Sequence, residues 1–255
     1  MIRIGTSGFS YKDWVGHFYP VGTVDRDRLR VYAEHFDAVE VNSSYYRIGH
    51  PRIYSAMAKK VPAGFEFVVK ANQAMTHERE LNREVFREFC ESVGPLLDEG
   101  KFGCVLAQFP WSFKRTPENE AYLRTFRERI EPLPTVIEFR NLEWCEPDVF
   151  EVLRELGFGF CCVDEPRLKG LMPPVVTATS PLGYVRFHGR NAQKWWKQTE
   201  AWERYDYQYN EEELKEWVPK IESVAEETEK EYVFFNNHYQ GQAATNAQML
   251  LDLLS

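Results

Sequence analysis

The chain has 255 residues, enough for one large domain, and its 44% hydrophobic and 15% aromatic content supplies a sizeable core. A formal net charge of −8 discourages a nucleic-acid reading, yet the charge is local: twelve acids and four bases between Glu200 and Glu231 carry all of it, and the remainder is balanced. Apolar runs far short of a membrane span, an opening MIRIGTSG without a signal-peptide pattern, and five cysteines with no C-x-x-C pair argue against membrane insertion, a disulfide framework and a zinc knuckle, so a cytoplasmic setting is expected.

Eight short apolar runs recur, each ending in polar residues. They are IRIGTSG (2–8), AVEVNS (38–43), FEFVVKAN (65–72), CVLAQFP (104–110), TVIEFR (135–140), GFCCVD (159–164), YVRFHG (184–189) and YVFFNN (232–237). Their length, β-branched content and aromatics predict buried parallel strands. Helical patterns lie between them. Residues 84–97 place Val85, Phe89, Val93 and Leu96 on one face. Thr116-Pro117-Glu118 is a helix start, with a hydroxyl cap, a proline in the first turn and an early acid. Residues 211–230 are acidic outside and apolar at Leu214, Trp217, Ile221 and Val224, with a kink expected at Pro219. Residues 242–254 form the last predicted helix.

Eight strand–helix alternations predict an α/β fold, a (β/α)8 TIM barrel forming a single domain over residues 1–255. An open doubly wound sheet is the structural alternative. Two intervals break the rhythm. Residues 165–181 hold four prolines and no helical face, so the sixth crossover is expected to be irregular. Residues 193–210 hold three Trp and three Tyr, read as a long aromatic excursion over the mouth after strand seven.

The stretch YVRFHGRNAQKWW (184–196) carries the strongest site signal. An apolar strand turns polar at Arg186 and His188 and runs into a loop with Arg190, Lys194, Trp195, Trp196 and Lys197. In a barrel, such strand ends converge on one face and deliver chemistry there. The other ends offer Thr6 and Ser7, Glu40 and Asn42, Lys70 and Asn72, Gln108, Glu138 and Arg140, Asp164, and Asn236 and Asn237. Charges inside apolar strands must be paired or used; mutual neutralisation is the structural reading.

GTSGFSYKDWVGHFYP, EVNSSYYR, VVKANQAMTH, QFP, EFRNLEW, YVRFHG and FFNNHYQGQAATNA resemble the YecE-like family, catalogued as domain of unknown function number seventy-two. The resemblance runs along nearly the whole chain, with Phe9 and Ser44 as slight departures. It implies a TIM barrel and no assigned reaction.

Several chemistries can be weighed by position. A glycosidase pair is disfavoured because the strand-four and strand-seven ends hold Gln108 and His188 in place of carboxylates. Glu138, Asp164 and His188 come from adjacent strands and form the candidate divalent-cation set, although Arg140 and Arg186 compete for the carboxylates. An anion site is better supported, with Lys70, Arg140, Arg186, Arg190 and Lys194 as cations and Asn42, Gln108, Asn236 and Asn237 as further hydrogen-bonding groups. Trp195 and Trp196 among cations suit stacking on bases of a single strand or closing a lid. His188 is the acid/base candidate by residue type, Glu138 the carboxylate base, and His238 is read as a surface-loop residue. The first expectation is therefore a hydrolase of a phosphate ester, with nucleic acid included, using Glu138, Asp164 and His188. The alternatives are an isomerase or epimerase of a sugar-like substrate using Glu40 and Glu138, and a non-catalytic binder of an anion or single-stranded nucleic acid.

Overall fold

The structure, a computed structural model, describes residues 1–79 and 83–255. Eight parallel strands close in chain order: β1 (Ile2–Ser7), β2 (Ala38–Val41), β3 (Glu66–Lys70), β4 (Phe102–Gln108), β5 (Thr135–Glu138), β6 (Gly159–Asp164), β7 (Leu182–Phe187) and β8 (Lys230–Phe235). β8 pairs back onto β1, so the sheet has no edge and the barrel, not the open sheet, is the fold. Between the strands lie helices α1 (Arg28–Tyr32), α2 (Ser43–Tyr46), α3 (Pro51–Ala58), α4 (Arg83–Asp98), α5 (Pro117–Ile130), α6 (Pro147–Glu155), α7 (Glu211–Lys215) and α8 (Val218–Glu227), and α9 (Gln242–Leu253) follows β8. Among the described residues no helix is long and apolar enough to cross a membrane.

Local chemistry sets these boundaries. Thr116 Oγ1 accepts from the Asn119 backbone N–H at 3.3 Å and caps α5 as its sequence predicts. The helix expected over 211–230 is two helices. An Asn210–Glu213 capping box starts α7, and Pro219 sits in the first turn of α8. Proline needs no N–H there, so it starts a helix where a kink was expected. The sixth crossover holds no helix among the described residues, as its prolines imply. It is laid against the preceding segment, with Thr179 Oγ1 donating to Phe158 O at 2.7 Å. After β7 the chain bends at Gly189, whose φ is +86°; a Cβ there would stand 2.7 Å from Tyr207 Cβ.

Strand register sorts the polar residues. Residues paired across parallel strands share a face, and faces alternate along each strand. Ser7 pairs with Glu40, Gln108 with Glu138, and Arg186 with Phe234; these point into the barrel. Tyr184, Arg186 and His188 thus face inward together, as do Tyr232, Phe234 and Asn236. Asp164 pairs with Phe187, and Phe187 with Phe235, on the opposite face toward the helices.

Candidate functional site

The upper barrel interior is filled by one ion network. Arg186 Nε donates to Glu40 Oε2 at 2.8 Å, Nη2 donates to Glu40 Oε1, and Nη1 donates to Glu138 Oε2 at 2.7 Å. Tyr184 OH adds a 2.7 Å bond to Glu40 Oε2. On the other side of Glu138, Oε1 receives His188 Nε2 at 3.1 Å and pairs with Arg140 Nε. Burial alone would raise the Glu138 pKa, but Arg140 and Arg186 hold it well below the usual carboxylate range. His188 Nδ1 faces Asn236 Nδ2 at 3.1 Å and Arg140 Nη2 at 3.3 Å, two donors, which leaves the ring proton on Nε2. Burial, followed by the Arg140 charge, pushes the His188 pKa well below its ordinary value, so the ring is neutral.

Above this floor opens a cavity of about 620 Å³. Arg140, Arg186 and Lys70 form its cationic base, and Arg204 approaches from the excursion. Aromatic walls surround them: Tyr11, Tyr45, Tyr46, Trp111, Trp195, Trp196 and Tyr205. Trp195 is 2% exposed and lies under the guanidinium groups of Arg140 and Arg204, at 5.9 and 5.4 Å from its ring. Trp196, 51% exposed, meets Trp111 edge-on at 5.9 Å on the rim. Asn42, Gln108 and Asn236 supply hydrogen-bonding groups, and among the described residues no donor reaches the buried Asn42 Oδ1. Among the described residues no carboxylate lines the cavity.

Three ionisable groups at or beneath this mouth are displaced from their ordinary values. Burial, reinforced by Arg186, lowers Lys70 to about 7. Lys70 Nζ donates to Gln108 Oε1 at 2.9 Å and lies 4.6 Å from the Tyr45 ring centre. Beneath Arg140, burial raises Glu165 to about 7, although Arg140 Nη1 donates to it at 3.0 Å and Met172 N at 2.9 Å. His77 is lowered to about 4 by burial and then by Lys70, and its Nδ1 stands 3.0 Å from Thr76 Oγ1.

The structure therefore divides the residues expected to form one site. Lys70, Arg140, Arg186, Asn42, Gln108, Asn236, Trp195 and Trp196 line the cavity. Glu40, Glu138 and His188 lie below it, fully buried and paired with one another's partners. Asp164 and Asn237 are elsewhere, one residue out of phase with the interior face. Asp164 accepts from Tyr209 OH and Trp217 Nε1, both at 2.7 Å, and from Arg190 Nη2 at 2.8 Å. Asn237 Nδ2 donates to Tyr207 O and to Asn246 Oδ1 of α9. The expected Glu138–Asp164–His188 metal set is not assembled, and among the described residues no group of three or more His, Cys, Asp or Glu is placed to hold a metal ion. Arg190 and Lys194 are likewise committed, to Asp164 and Glu203, and do not reach the cavity as anion ligands.

Position along the strands missed several lining residues. Tyr45 sits on the single turn α2, and Trp111, Arg204 and Tyr205 in the connections after β4 and β7, where the two-residue alternation of a strand does not mark direction. His238 corrects the surface-loop reading: it lines the cavity and stacks on Tyr11 with ring centres 4.7 Å apart. Counting parity within β6 and β8 would have removed Asp164 and Asn237 and kept Asn236.

This architecture has counterparts. The family model described as protein of unknown function DUF72 matches residues 3–255. UPF0759 protein YunF of Bacillus subtilis (strain 168) is 36% identical over 270 residues, spanning 100% of this chain and 95% of YunF. The crystal structure of a DUF72 family protein from Thermotoga maritima MSB8 superposes with a TM-score of 0.93 at 39% identity, covering 100% of this chain and 99% of that one. A DUF72 family protein from Enterococcus faecalis V583 gives 0.89 at 32% identity, with 100% and 95% covered. Fold, length and sequence agree along the whole barrel: the chain belongs to the DUF72 family of proteins of unknown function.

Proposed function

We propose that the barrel mouth binds a phosphate ester carrying an aromatic or heterocyclic ring, such as a nucleotide unit, and that the protein hydrolyses this ester. One observation carries the reading. A cavity sized for one such unit combines cations with aromatic walls and, among the described residues, no lining carboxylate, while the carboxylates beneath are already neutralised. Arginine forks suit phosphate oxygens, and aromatic faces suit a heterocycle. The isomerase reading loses support because Arg186 bridges Glu40 and Glu138 below the floor.

Tryptophan fluorescence reads the cavity directly, since Trp111, Trp195 and Trp196 line it. Titration with adenosine monophosphate, adenosine and inorganic phosphate separates the ring from the anion. The monophosphate is expected to bind tightest, and Arg204→Ala to weaken it roughly tenfold or more, the worth of one charged hydrogen bond. Equal affinity for adenosine and its monophosphate would remove the anion site. A second reading, binding without turnover, is favoured by the sealing of Glu40, Glu138 and His188. It predicts saturable binding with no phosphate release from any mono- or diester tested.

A further inference from the structure

We propose that Lys70 is a nucleophile toward carbonyl groups, forming a Schiff base through Nζ with an aldehyde or ketone that also bears an anionic group. The proposal goes beyond the preceding reading and shares with it only the anion site, which guides the choice of probe.

The geometry has three parts. First, Lys70 closes the inward face of β3 and lines the cavity. Second, its proton has no acidic holder. Among the described residues no carboxylate pairs with Nζ, whose partners are the neutral Gln108 oxygen and the Tyr45 face. Glu40 and Glu138, which face it across the barrel, are occupied by Arg186 and Arg140. Third, those same arginines share the cavity with it, and neighbouring positive charge in a partly dry site is a recognised way to free a lysine amine for attack. A pKa near 7 follows from this setting. It makes the neutral fraction at pH 7 on the order of a thousandfold larger than for an ordinary lysine.

The step balances within the site. The Nζ lone pair forms a bond to the carbonyl carbon as the C=O π pair moves to oxygen, which takes a proton. That proton is the one the nitrogen sheds; a second proton, drawn from solvent in the open cavity, lets the hydroxyl leave as water while the nitrogen lone pair forms the C=N bond, and a protonated imine remains. Arg140 and Arg204 hold the anionic group so that the carbonyl is presented to Nζ. The substrate class is a phosphate-bearing aldehyde or ketone.

Pyridoxal phosphate, an aromatic aldehyde with a phosphate, is a suitable probe, and pyridoxal is its uncharged control. Each is incubated with the full chain, trapped with borohydride and mapped by peptide mass spectrometry. Lys70 is expected to be labelled roughly tenfold faster than any other lysine at pH 7. The label is expected to be lost in both Lys70→Met and Lys70→Arg, whose fold is checked by circular dichroism. Labelling should level off above a midpoint near pH 7. The groups facing Nζ are Glu40, Glu138, Arg140, Arg186, His77 and Tyr45, and none of them can carry the label. Labelling spread over surface lysines, or retained in Lys70→Met, overturns the proposal. If either variant unfolds, the wild-type peptide map still decides. Equal labelling of Lys70 by pyridoxal and its phosphate would sink the anion site and leave the nucleophile standing. Fluorescence quenching by pyridoxal phosphate without Lys70 labelling would do the reverse.

Discussion

Replacing Arg186 with Met tests the claim that the buried carboxylates are structural. Arg186 alone gives Glu40 both of its guanidinium bonds and gives Glu138 one of its two arginine partners. Removing it leaves Glu40 with Tyr184 OH as its hydrogen-bond partner, in a site without solvent access. Breaking a buried pair from one side costs about 3–5 kcal/mol, because the partner charge stays behind unpaired. For a chain of this size that corresponds to a fall in Tm of roughly 6–20 °C. Urea unfolding at pH 7 measures it. The sign with pH follows from Glu138. Its native pKa is held low, so its contribution is present above the ordinary carboxylate range and is lost as pH falls through the depressed value. The deficit of Arg186→Met should therefore be largest near neutrality and shrink in acid. Adding Glu40→Gln and Glu138→Gln to the same variant should recover part of the loss. A deficit under about 1 kcal/mol at pH 7, or no recovery in the triple variant, refutes the neutralised-floor reasoning.

Asp164→Asn should destabilise by about 2–4 kcal/mol, since one carboxylate serves Tyr209, Trp217 and Arg190. Ligand affinity at the mouth should be unchanged. Affinity lost with stability intact would return Asp164 to the site. Glu231, fully buried and, among the described residues, with no hydrogen bond to either carboxyl oxygen, is raised to about 8 by burial. Its native pKa exceeds the unfolded value of 4.5, so the native state holds a proton that is lost as pH rises toward 8. Wild type should lose stability between pH 5 and pH 9 from Glu231, with a ceiling of about 5 kcal/mol, in addition to the loss from Glu165, whose pKa is also raised. Glu231→Gln should reduce that slope in thermal melts, most clearly above pH 7, and parallel slopes would show that Glu231 does not titrate there.

Much of the barrel can be read along the chain, because each buried strand is a short apolar run with its own polar end, and helices such as α5 and α7 carry their own apolar face and N-terminal cap. The site is legible only in part. The inward positions of β3, β4, β5, β7 and β8 follow a period of two, so Lys70, Gln108, Arg140, Arg186 and Asn236 fall where their spacing implies. Asp164 looked equivalent at the end of β6 but stands one residue out of phase, and that shift sends its carboxylate to Trp217 and Tyr209. The 211–230 pattern divides into two helices for a local reason: proline is tolerated at a helix start, so Pro219 marks a boundary.

The sequence by itself determined the eight strand–helix alternations and the polar groups at the strand ends, since periodicity and strand ends are local properties, while the pairing of β8 with β1 closed the sheet. Only tertiary structure decided which of those groups meet solvent. Arg186 and Glu40 are 146 residues apart, and their pairing across the barrel turns a pair of candidate catalysts into a sealed floor. Ionisation in a dry interior depends on the nearest opposite charge, and that neighbour is set by the closure of the sheet.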